Sequence, residues 1–518
     1  VYAAQAQHAA DFAGDRQRFV YGVDYIHTDP RTAGTTNGRN EAIDNTDEVG
    51  AYVQSTTKLA PRFDLITALR ADRHSELEGT FVSPRAALQY KPGANHNVRF
   101  AYNRAFQTPA NFNFFLDLDQ QRRILGLPAA LRDIDITATG VPSTGLSYRR
   151  NCTAGQGGLC MRSPFTPAAG GGPDGFVPAN ASPYYAAALN LAVAGGLANN
   201  LQAAGLSAAQ AQGVIALLGT ANVSGVGTYL GLLNPSAART APFQQRFTPV
   251  QPAQVVDLPR LKPNFLNNFE VGYKGIFAEK ARLAVDVWYQ QRRDFLSAAV
   301  NVSPNVFLDS ASLRAALTAT LTPALGAATG GAVAASVANG LRAIPLGTVA
   351  PDSRNTTGPD VYFSYQNINR TVNVSGVDAA ADYLLTRRLS VMGNYSYVNR
   401  TQFPDVRLGV APLALNAPGH RAAAAVRWND EPNGFSTEVR GRYADAFPVN
   451  SGVYVGSVPV NAFLDLNASY RLLGRKVTVS ARSPACPGLG GWSCRGCRCS
   501  SRRRGRGRRT HERRGRAP

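Results

Sequence analysis

The chain has 518 residues, a formal net charge of +20 and only 17% charged residues. That charged fraction lies below the roughly 25% usual for soluble globular proteins, and together with abundant Gly, Tyr and Phe it favours a large β architecture. Eleven Arg and one Glu follow Ser483, so the last 36 residues carry +10, half of the net charge, and the location of the charge matters more than its size for a nucleic-acid or anionic-membrane interpretation.

Segments of about ten residues with period-two alternation recur from "QRFVYGVDYIH", at residues 17–27, onward. In "ARLAVDVWYQQ" one face carries Ala281, Leu283, Val285, Val287 and Tyr289, and the other carries Arg282, Asp286 and Gln290. Tilted strands of this length span a lipid bilayer, so the pattern predicts transmembrane β-strands.

The connections between these segments alternate between short and long. Short polar turns such as "KPGANH" alternate with long connections at 28–47, 107–264, 297–360, 401–419 and 447–459. Outer-membrane barrels have short periplasmic turns and long extracellular loops, so we expect about fourteen antiparallel strands with the long loops outside.

Two of the long connections contain Ala-rich stretches, 184–233 and 312–344. Asn and Gln interrupt the first stretch, and neither of its halves reaches about eighteen uninterrupted apolar residues. We therefore expect helical hairpins inserted in extracellular loops, with paired transmembrane helices as the alternative for the first stretch.

The cysteines fall into two groups. Cys152 and Cys160 could close a small disulfide loop in an oxidising compartment, or they could be two free thiols. The other four lie beyond residue 485 in an Arg-Gly tract, where "CRGCRC" lacks a second ligand pair at zinc-finger spacing.

The sequence contains no catalytic constellation, and the six His are scattered without metal-ligand spacing. It therefore predicts no enzyme, no catalytic residue, no cofactor and no metal site. Several basic residues either line a lumen that attracts anionic ligands or pair with Glu270, Asp286 and Glu438; they are Arg99, Arg104, Lys274, Arg282 and Arg440.

Two segments resemble the TonB-dependent receptors of the Gram-negative outer membrane. The first, "VSPRAALQYKPGANHNVRFAYNRAFQTP", carries the motif positions Ser83, Pro84, Arg85, Lys91, Pro92, Tyr102, Asn103, Arg104, Phe106, Thr108 and Pro109. The second, "LKPNFLNNFEVGYK", carries Glu270, Gly272, Tyr273 and Lys274, with Asn264 where the family usually has Glu.

The resemblance covers roughly residues 18–481 apart from the insertions. It implies an all-β fold, a transmembrane antiparallel β-barrel that is part of a 22-stranded receptor barrel, with Ala-rich helical insertions in extracellular loops. It also implies TonB-energised import of a siderophore, cobalamin or carbohydrate through the cell outer membrane. The expected partners are outer-membrane lipid, the small-molecule nutrient and, in the intact receptor, the TonB complex, whose binding box is not in this chain; no nucleic acid is expected.

These observations predict two regions. Residues 1–482 are expected to form a partial receptor β-barrel without the plug domain and the first strands. Residues 483–518 are expected to be an Arg/Gly-rich tail that is frameshifted or disordered. The alternatives are a passive porin-like channel, and a soluble protein whose Arg-rich tail binds nucleic acid.

Overall fold

The structure is a computed structural model. It describes residues 1–14, 16–124, 133–165, 175–234, 237, 241–353, 356, 358–368, 370–403, 413–450, 455–472 and 477–487.

Six long strands come first in the chain. They are β1 (Tyr2–Phe12), β2 (Gln17–Thr28), β3 (Thr46–Ala60), β4 (Phe63–His74), β5 (Phe81–Gly93) and β6 (His96–Gln107). A 3-10 turn at Gly38–Asn40 lies in the connection between β2 and β3.

The first insertion follows β6 and contains helices and short strands. Its elements are α1 (Asn111–Phe115), β7 (Asp117–Gln121), β8 (Ile136–Thr139), β9 (Cys160–Met161), β10 (Val177–Pro178), α2 (Tyr185–Ala194), α3 (Leu197–Ala203), α4 (Ala208–Gly219), β11 (Thr228–Leu233), α5 (Phe243–Arg246) and β12 (Phe247–Pro249). Further 3-10 turns lie at Gln156–Gly158, Ser182–Tyr184 and Pro252–Gln254.

Two long strands, β13 (Asn264–Phe277) and β14 (Ala281–Arg293), separate it from the second insertion. The second insertion comprises β15 (Phe295–Leu296), β16 (Val300–Asn301), β17 (Asn305–Leu308), α6 (Ser310–Leu325), α7 (Ala327–Leu341), β18 (Gly347–Thr348), β19 (Val361–Ser364) and β20 (Asn367–Ile368).

The remaining elements are all strands. They are β21 (Val372–Leu384), β22 (Leu389–Val398), β23 (Gln402–Phe403), β24 (Leu413–Ala414), β25 (His420–Asp430), β26 (Phe435–Ala444), β27 (Phe447–Asn450), β28 (Val455–Val458), β29 (Asn461–Leu472) and β30 (Val477–Pro487). Strand β30 continues five residues past the predicted boundary at 482, and the tail from residue 488 onward lies outside the described residues.

Fourteen of these strands form one antiparallel sheet, in the order β1-β2-β3-β4-β5-β6-β13-β14-β21-β22-β25-β26-β29-β30. Each strand pairs with the next long strand along the chain, which confirms the predicted up-and-down order of about fourteen strands. The sheet is open: in the described part of the chain, β1 and β30 are its edges and do not pair with each other.

Period-two alternation gives the sheet two different faces. Phe100, Val271 and Val287 are paired neighbours on β6, β13 and β14, and each is about half exposed. One residue along, Arg99, Gly272 and Asp286 are paired on the opposite face. We call the face with the exposed apolar side chains the outer face, and the face with the charges the inner face.

The helices lie where the Ala-rich stretches predict them, but the first stretch differs in detail. The second stretch forms the expected hairpin, α6 and α7, joined at Gly326. The first forms three helices, because Gly196 and Gly205 adopt positive φ values of 93° and 98° and end the helical run there. In the described part of the chain no helix is long and apolar enough to cross a membrane.

Candidate ligand-capture site

The two insertions fold together into one unit, which we call the loop module (the described residues of 108–263 and 294–371). Strand β11 of the first insertion pairs with β17 of the second, within a sheet ordered β12-β11-β17-β18. Strand β8 pairs in parallel with β19, within a second sheet ordered β16-β19-β8-β7. Each small sheet therefore needs strands from both insertions.

Helices of both insertions share the apolar core of the loop module. Leu313, Leu317 and Leu321 recur every four residues along α6 and are fully buried. Asp309 caps this helix by accepting a hydrogen bond from the Ser312 amide at 2.9 Å. Tyr185 of α2 lies in the same core, donates to the Leu218 carbonyl at 2.9 Å, and has its pKa raised to about 12 by burial.

The loop module packs against the inner face of the large sheet. Phe114 of α1 lies with its ring centroid 5.6 Å from that of His74, at the end of β4. Phe81, at the start of β5, belongs to the same buried cluster as Phe114. His74 lies two residues after the inner-face residue Asp72 on β4, and Phe81 pairs with Asp72, so both side chains lie on the inner face. The first insertion therefore folds inward over this face.

The connection between β2 and β3 is tied to the loop module by a two-pronged ion pair. The Arg39 guanidinium donates to both carboxylate oxygens of Asp117 at 2.8 Å, and the Arg39 backbone amide donates to one of them at the same distance. Burial alone would raise the pKa of Asp117, but these three hydrogen bonds outweigh it and hold the pKa below its usual value. Asn40 adds a hydrogen bond to the Phe115 carbonyl at 2.8 Å.

The inner face carries networks of ion pairs that link neighbouring strands. Arg70 on β4 pairs with Asp24 on β2 at 2.7 Å and with Asp72 at 2.6 Å. Arg99 pairs with Glu270 and lies 3.6 Å from Asp286. Further pairs join Arg427 and Arg440 to Glu438, and Arg442 to Asp465.

The five predicted basic residues therefore have different surroundings. Arg99 and Arg440 form the ion pairs just described, while the Arg104 guanidinium lies 4.4 Å from the centroid of the Phe265 ring. Lys274 and Arg282 form no ion pair with the residues that the structure describes.

The motif positions lie on three neighbouring strands. Ser83, Pro84, Arg85, Lys91 and Pro92 are on β5, Tyr102, Asn103, Arg104 and Phe106 are on β6, and Glu270, Gly272, Tyr273 and Lys274 are on β13. Thr108 and Pro109 begin the first insertion. At position 272 any Cβ would lie 2.3 Å from the Asp286 carboxylate, so glycine there leaves room for the Arg99 network.

A disulfide joins Cys152 and Cys160, whose Cα atoms are 5.4 Å apart. Cys160 is buried at the start of β9, which pairs with β10.

The loop module also carries an aromatic cluster that the sequence did not indicate, because its members are up to 78 residues apart along the chain. Tyr229, Phe243, Phe247 and Phe307 pack with centroid distances of 4.7–6.2 Å. The Arg342 guanidinium lies 4.3 Å from the Phe243 centroid, and that of Arg246 lies 5.3 Å from the Phe247 centroid. We call these six residues the arginine-aromatic platform.

Both platform arginines are half-buried, and neither forms an ion pair with a described residue. In the same part of the chain no group of three or more His, Cys, Asp or Glu could hold a metal ion. The platform therefore presents two half-buried cations beside the partly exposed rings of Tyr229 and Phe243.

The sequence pattern described as "TonB dependent receptor-like, beta-barrel" matches residues 2–150 and 175–482, which is most of the chain. The chain belongs to the TonB-dependent receptor family. No curated protein matches it.

Solved structures of receptors are similar to this TonB-dependent receptor chain at low identity. The siderophore receptor PirA from Acinetobacter baumannii is 10% identical, with a TM-score of 0.42 over 91% of this chain and 48% of PirA. The ferric enterobactin receptor PfeA from Pseudomonas aeruginosa is 10% identical, with a TM-score of 0.48 over 94% of this chain and 50% of PfeA. The FrpB iron transporter from Neisseria meningitidis is 10% identical, with a TM-score of 0.42 over 90% of this chain and 48% of FrpB. The chain thus spans about half the length of each.

Membership of this family places the TonB-dependent receptor chain in the outer membrane. The outer face, with its exposed apolar rows, is then the face suited to contact with lipid hydrocarbon.

Proposed function

We propose that the chain is the barrel part of a receptor that captures a scarce nutrient of the siderophore, cobalamin or carbohydrate class and imports it with energy from the TonB complex. The loop module binds the nutrient, and the inner face of the sheet forms the wall along which it passes. No covalent chemistry takes place, so the activity is binding followed by gated passage.

The position of the loop module carries this proposal. Phe114 and the buried cluster around it close over the inner face at the end of β4 and the start of β5, where a passive channel would need an open mouth. A ligand therefore meets a folded surface before it meets the sheet, as capture by a receptor requires.

The arginine-aromatic platform is the part of that surface that we assign to ligand contact. Arg246 and Arg342 have no carboxylate partner among the described residues. Arg246 lies over the Phe247 ring and Arg342 over the Phe243 ring. Phe243 packs against the buried rings of Phe247 and Phe307, which hold it in place. An anionic ligand would gain charge-assisted hydrogen bonds without displacing an existing ion pair. The platform therefore favours a negatively charged member of the nutrient class.

The inner face supports passage more than tight binding. Its arginines are largely satisfied by neighbouring carboxylates, as in the Arg70 network with Asp24 and Asp72. Because its charges are largely paired, the inner face is polar but close to neutral, so an anionic ligand would pass along it without binding tightly.

An equilibrium binding experiment tests capture. The full chain, folded in non-ionic detergent, is titrated with a ferric siderophore, with cobalamin and with a maltodextrin, and binding is followed by calorimetry. We expect saturable binding of one class and at least about tenfold weaker binding by R246Q/R342Q, because a hydrogen bond to a charged group contributes about 1.5–3 kcal/mol.

Arg314, an exposed residue of α6 outside the platform, supplies the matched control R314Q, which should bind as the wild type does. Uptake in cells with and without TonB tests the energy requirement. Uptake that does not saturate, does not need TonB and is unaffected by R246Q/R342Q would instead identify a passive channel.

A further inference from the structure

A cavity lies at the opposite end of the sheet from the loop module, beside the short turns. It has a volume of about 410 Å³ and is formed by the β5–β6 turn and the adjoining ends of β13, β14 and β21. Its polar and charged lining residues include Lys91, Asn97, Lys274, Arg282 and Asp382. We call it the turn-side pocket.

The strand register places the pocket on the inner face. Asn97 pairs with Lys274, Lys274 with Ala284, and Ala284 with Ala380, so these four form one row across four strands. The two alanines leave open space beside the Lys274 side chain. Arg282 pairs with Ile276 and Asp382 in the next row of this face, nearer the turns.

The positive side chains of the pocket outnumber its carboxylates. Lys91 is paired with Asp64, whereas Lys274 and Arg282 form no ion pair with a described residue. Asp382 lies opposite Arg282 in the register, and it is also without an ion pair in the described part of the chain. Lys274, Arg282 and Asp382 together leave one positive charge in excess.

We propose that the turn-side pocket binds a phosphate ester that carries a hydroxyl group. Lys274 supplies a point charge, Arg282 a planar fork of donors and Asn97 an amide, which together suit the several oxygens of a phosphate. Asp382 offers an acceptor for the ligand hydroxyl and discourages a second negative group. The pocket volume leaves space for more than the phosphate group alone.

This ligand chemistry has two sources, a soluble sugar or glycerol phosphate and the headgroup of a glycerophospholipid such as phosphatidylglycerol. The site is independent of nutrient capture, because it lies at the other end of the strands and shares no residue with the arginine-aromatic platform. Failure of one proposal therefore leaves the other standing.

The test uses the full chain in non-ionic detergent and two probes, sn-glycerol 3-phosphate and short-chain dihexanoyl phosphatidylglycerol. Binding of each is followed by phosphorus NMR and calorimetry at low ionic strength, because exposed charges are screened by salt. We expect a dissociation constant on the order of 1 mM for the matching probe, and at least tenfold weaker binding by K274Q/R282Q.

Arg421 supplies the matched control, since it is an exposed cation on the inner face, without an ion pair to a described residue, that does not line the pocket. R421Q should bind like the wild type. D382N should weaken binding of glycerol phosphate relative to methyl phosphate, which has no alcohol hydroxyl and should bind at least as tightly as to the wild type because a negative charge is removed.

Binding of the soluble probe identifies a soluble ligand, and binding of the lipid probe alone identifies a headgroup. Binding of neither probe, or equal binding by wild type and K274Q/R282Q, overturns the proposal. Folding of each variant is checked by circular dichroism, and if the double variant does not fold, K274Q carries the same comparison because the Lys274 side chain is exposed.

Discussion

At the scale of single residues, Arg39 decides how the connection between β2 and β3 is held. Its partner Asp117 has a side chain that is only 5% exposed, so removing the guanidinium leaves a carboxylate with little access to water. We expect R39A to destabilise the docked connection by about 1–3 kcal/mol, the cost of an unsatisfied charged partner. Hydrogen exchange of residues 29–45 measures it.

The Arg39–Asp117 pair also predicts that the free energy of unfolding of the docked connection depends on pH. Because the pKa of Asp117 is held below its unfolded value of about 3.9, the stabilisation is complete above that value and is lost as pH falls through the folded pKa. In R39A, the free energy of unfolding should fall less steeply as the pH decreases. R31A is the control, since Arg31 and Asp29 form an exposed pair that should contribute less than about 1 kcal/mol.

The disulfide between Cys152 and Cys160 closes a short loop within the first insertion. Cross-linking at this separation restricts the unfolded chain, so C152S/C160S should lower the stability of the loop module by about 2 kcal/mol. Thermal unfolding with and without reductant measures this. A double variant with the same stability as the oxidised wild type would contradict the expectation.

The sequence indicated some residue contacts and not others, according to distance along the chain and strand order. Glu270, Asp286 and Glu438 are the carboxylates that the sequence offers as partners for five basic residues, and the structure pairs two of the five, Arg99 and Arg440, with them. Arg39 and Asp117 lie 78 residues apart in connections without periodicity, so no pattern related them.

At the scale of elements, two glycines of the loop module should respond to alanine in opposite directions. Gly213 lies exposed in the middle of α4, with no atom within 4 Å of a new Cβ, so G213A should stabilise by about 0.5–1 kcal/mol. Gly326 joins α6 to α7 with φ +77°, where a side chain is strained, so G326A should destabilise by about 1 kcal/mol. Chemical denaturation of both variants measures the difference in sign.

The long strands and the α6–α7 hairpin could be predicted because each carries its own repeating pattern, of period two or of Ala-rich helical spacing. The small strands of the loop module could not. β8 and β19 have four residues each and pair across more than 200 residues, so their apolar residues do not differ from those of a buried loop. Their pairing is imposed by packing, after both insertions are present.

At the scale of the whole molecule, the open sheet should control how the isolated chain behaves. Strands β1 and β30 expose unpaired backbone groups at its two edges, and such edges pair readily with other chains. We therefore expect most of the isolated chain to aggregate or misassemble, as measured by light scattering after size-exclusion chromatography in detergent, and the binding titrations use the fraction that elutes as a folded, non-aggregated species. Recovery of nearly all of the chain as a monodisperse barrel whose gel migration changes on heating would contradict this.

The shared sheets of the loop module have a consequence for the exchange of segments between receptors. β11 finds its neighbour β17, and β8 its neighbour β19, only when both insertions are present. In a chimera that received one insertion from another receptor, the strands of the retained insertion would lack the partner strands with which they pair in both small sheets. Grafting a new specificity, whether by recombination in nature or by engineering, must therefore transfer the two segments as a matched pair, although the β13–β14 hairpin, residues 264–293, separates them in the chain.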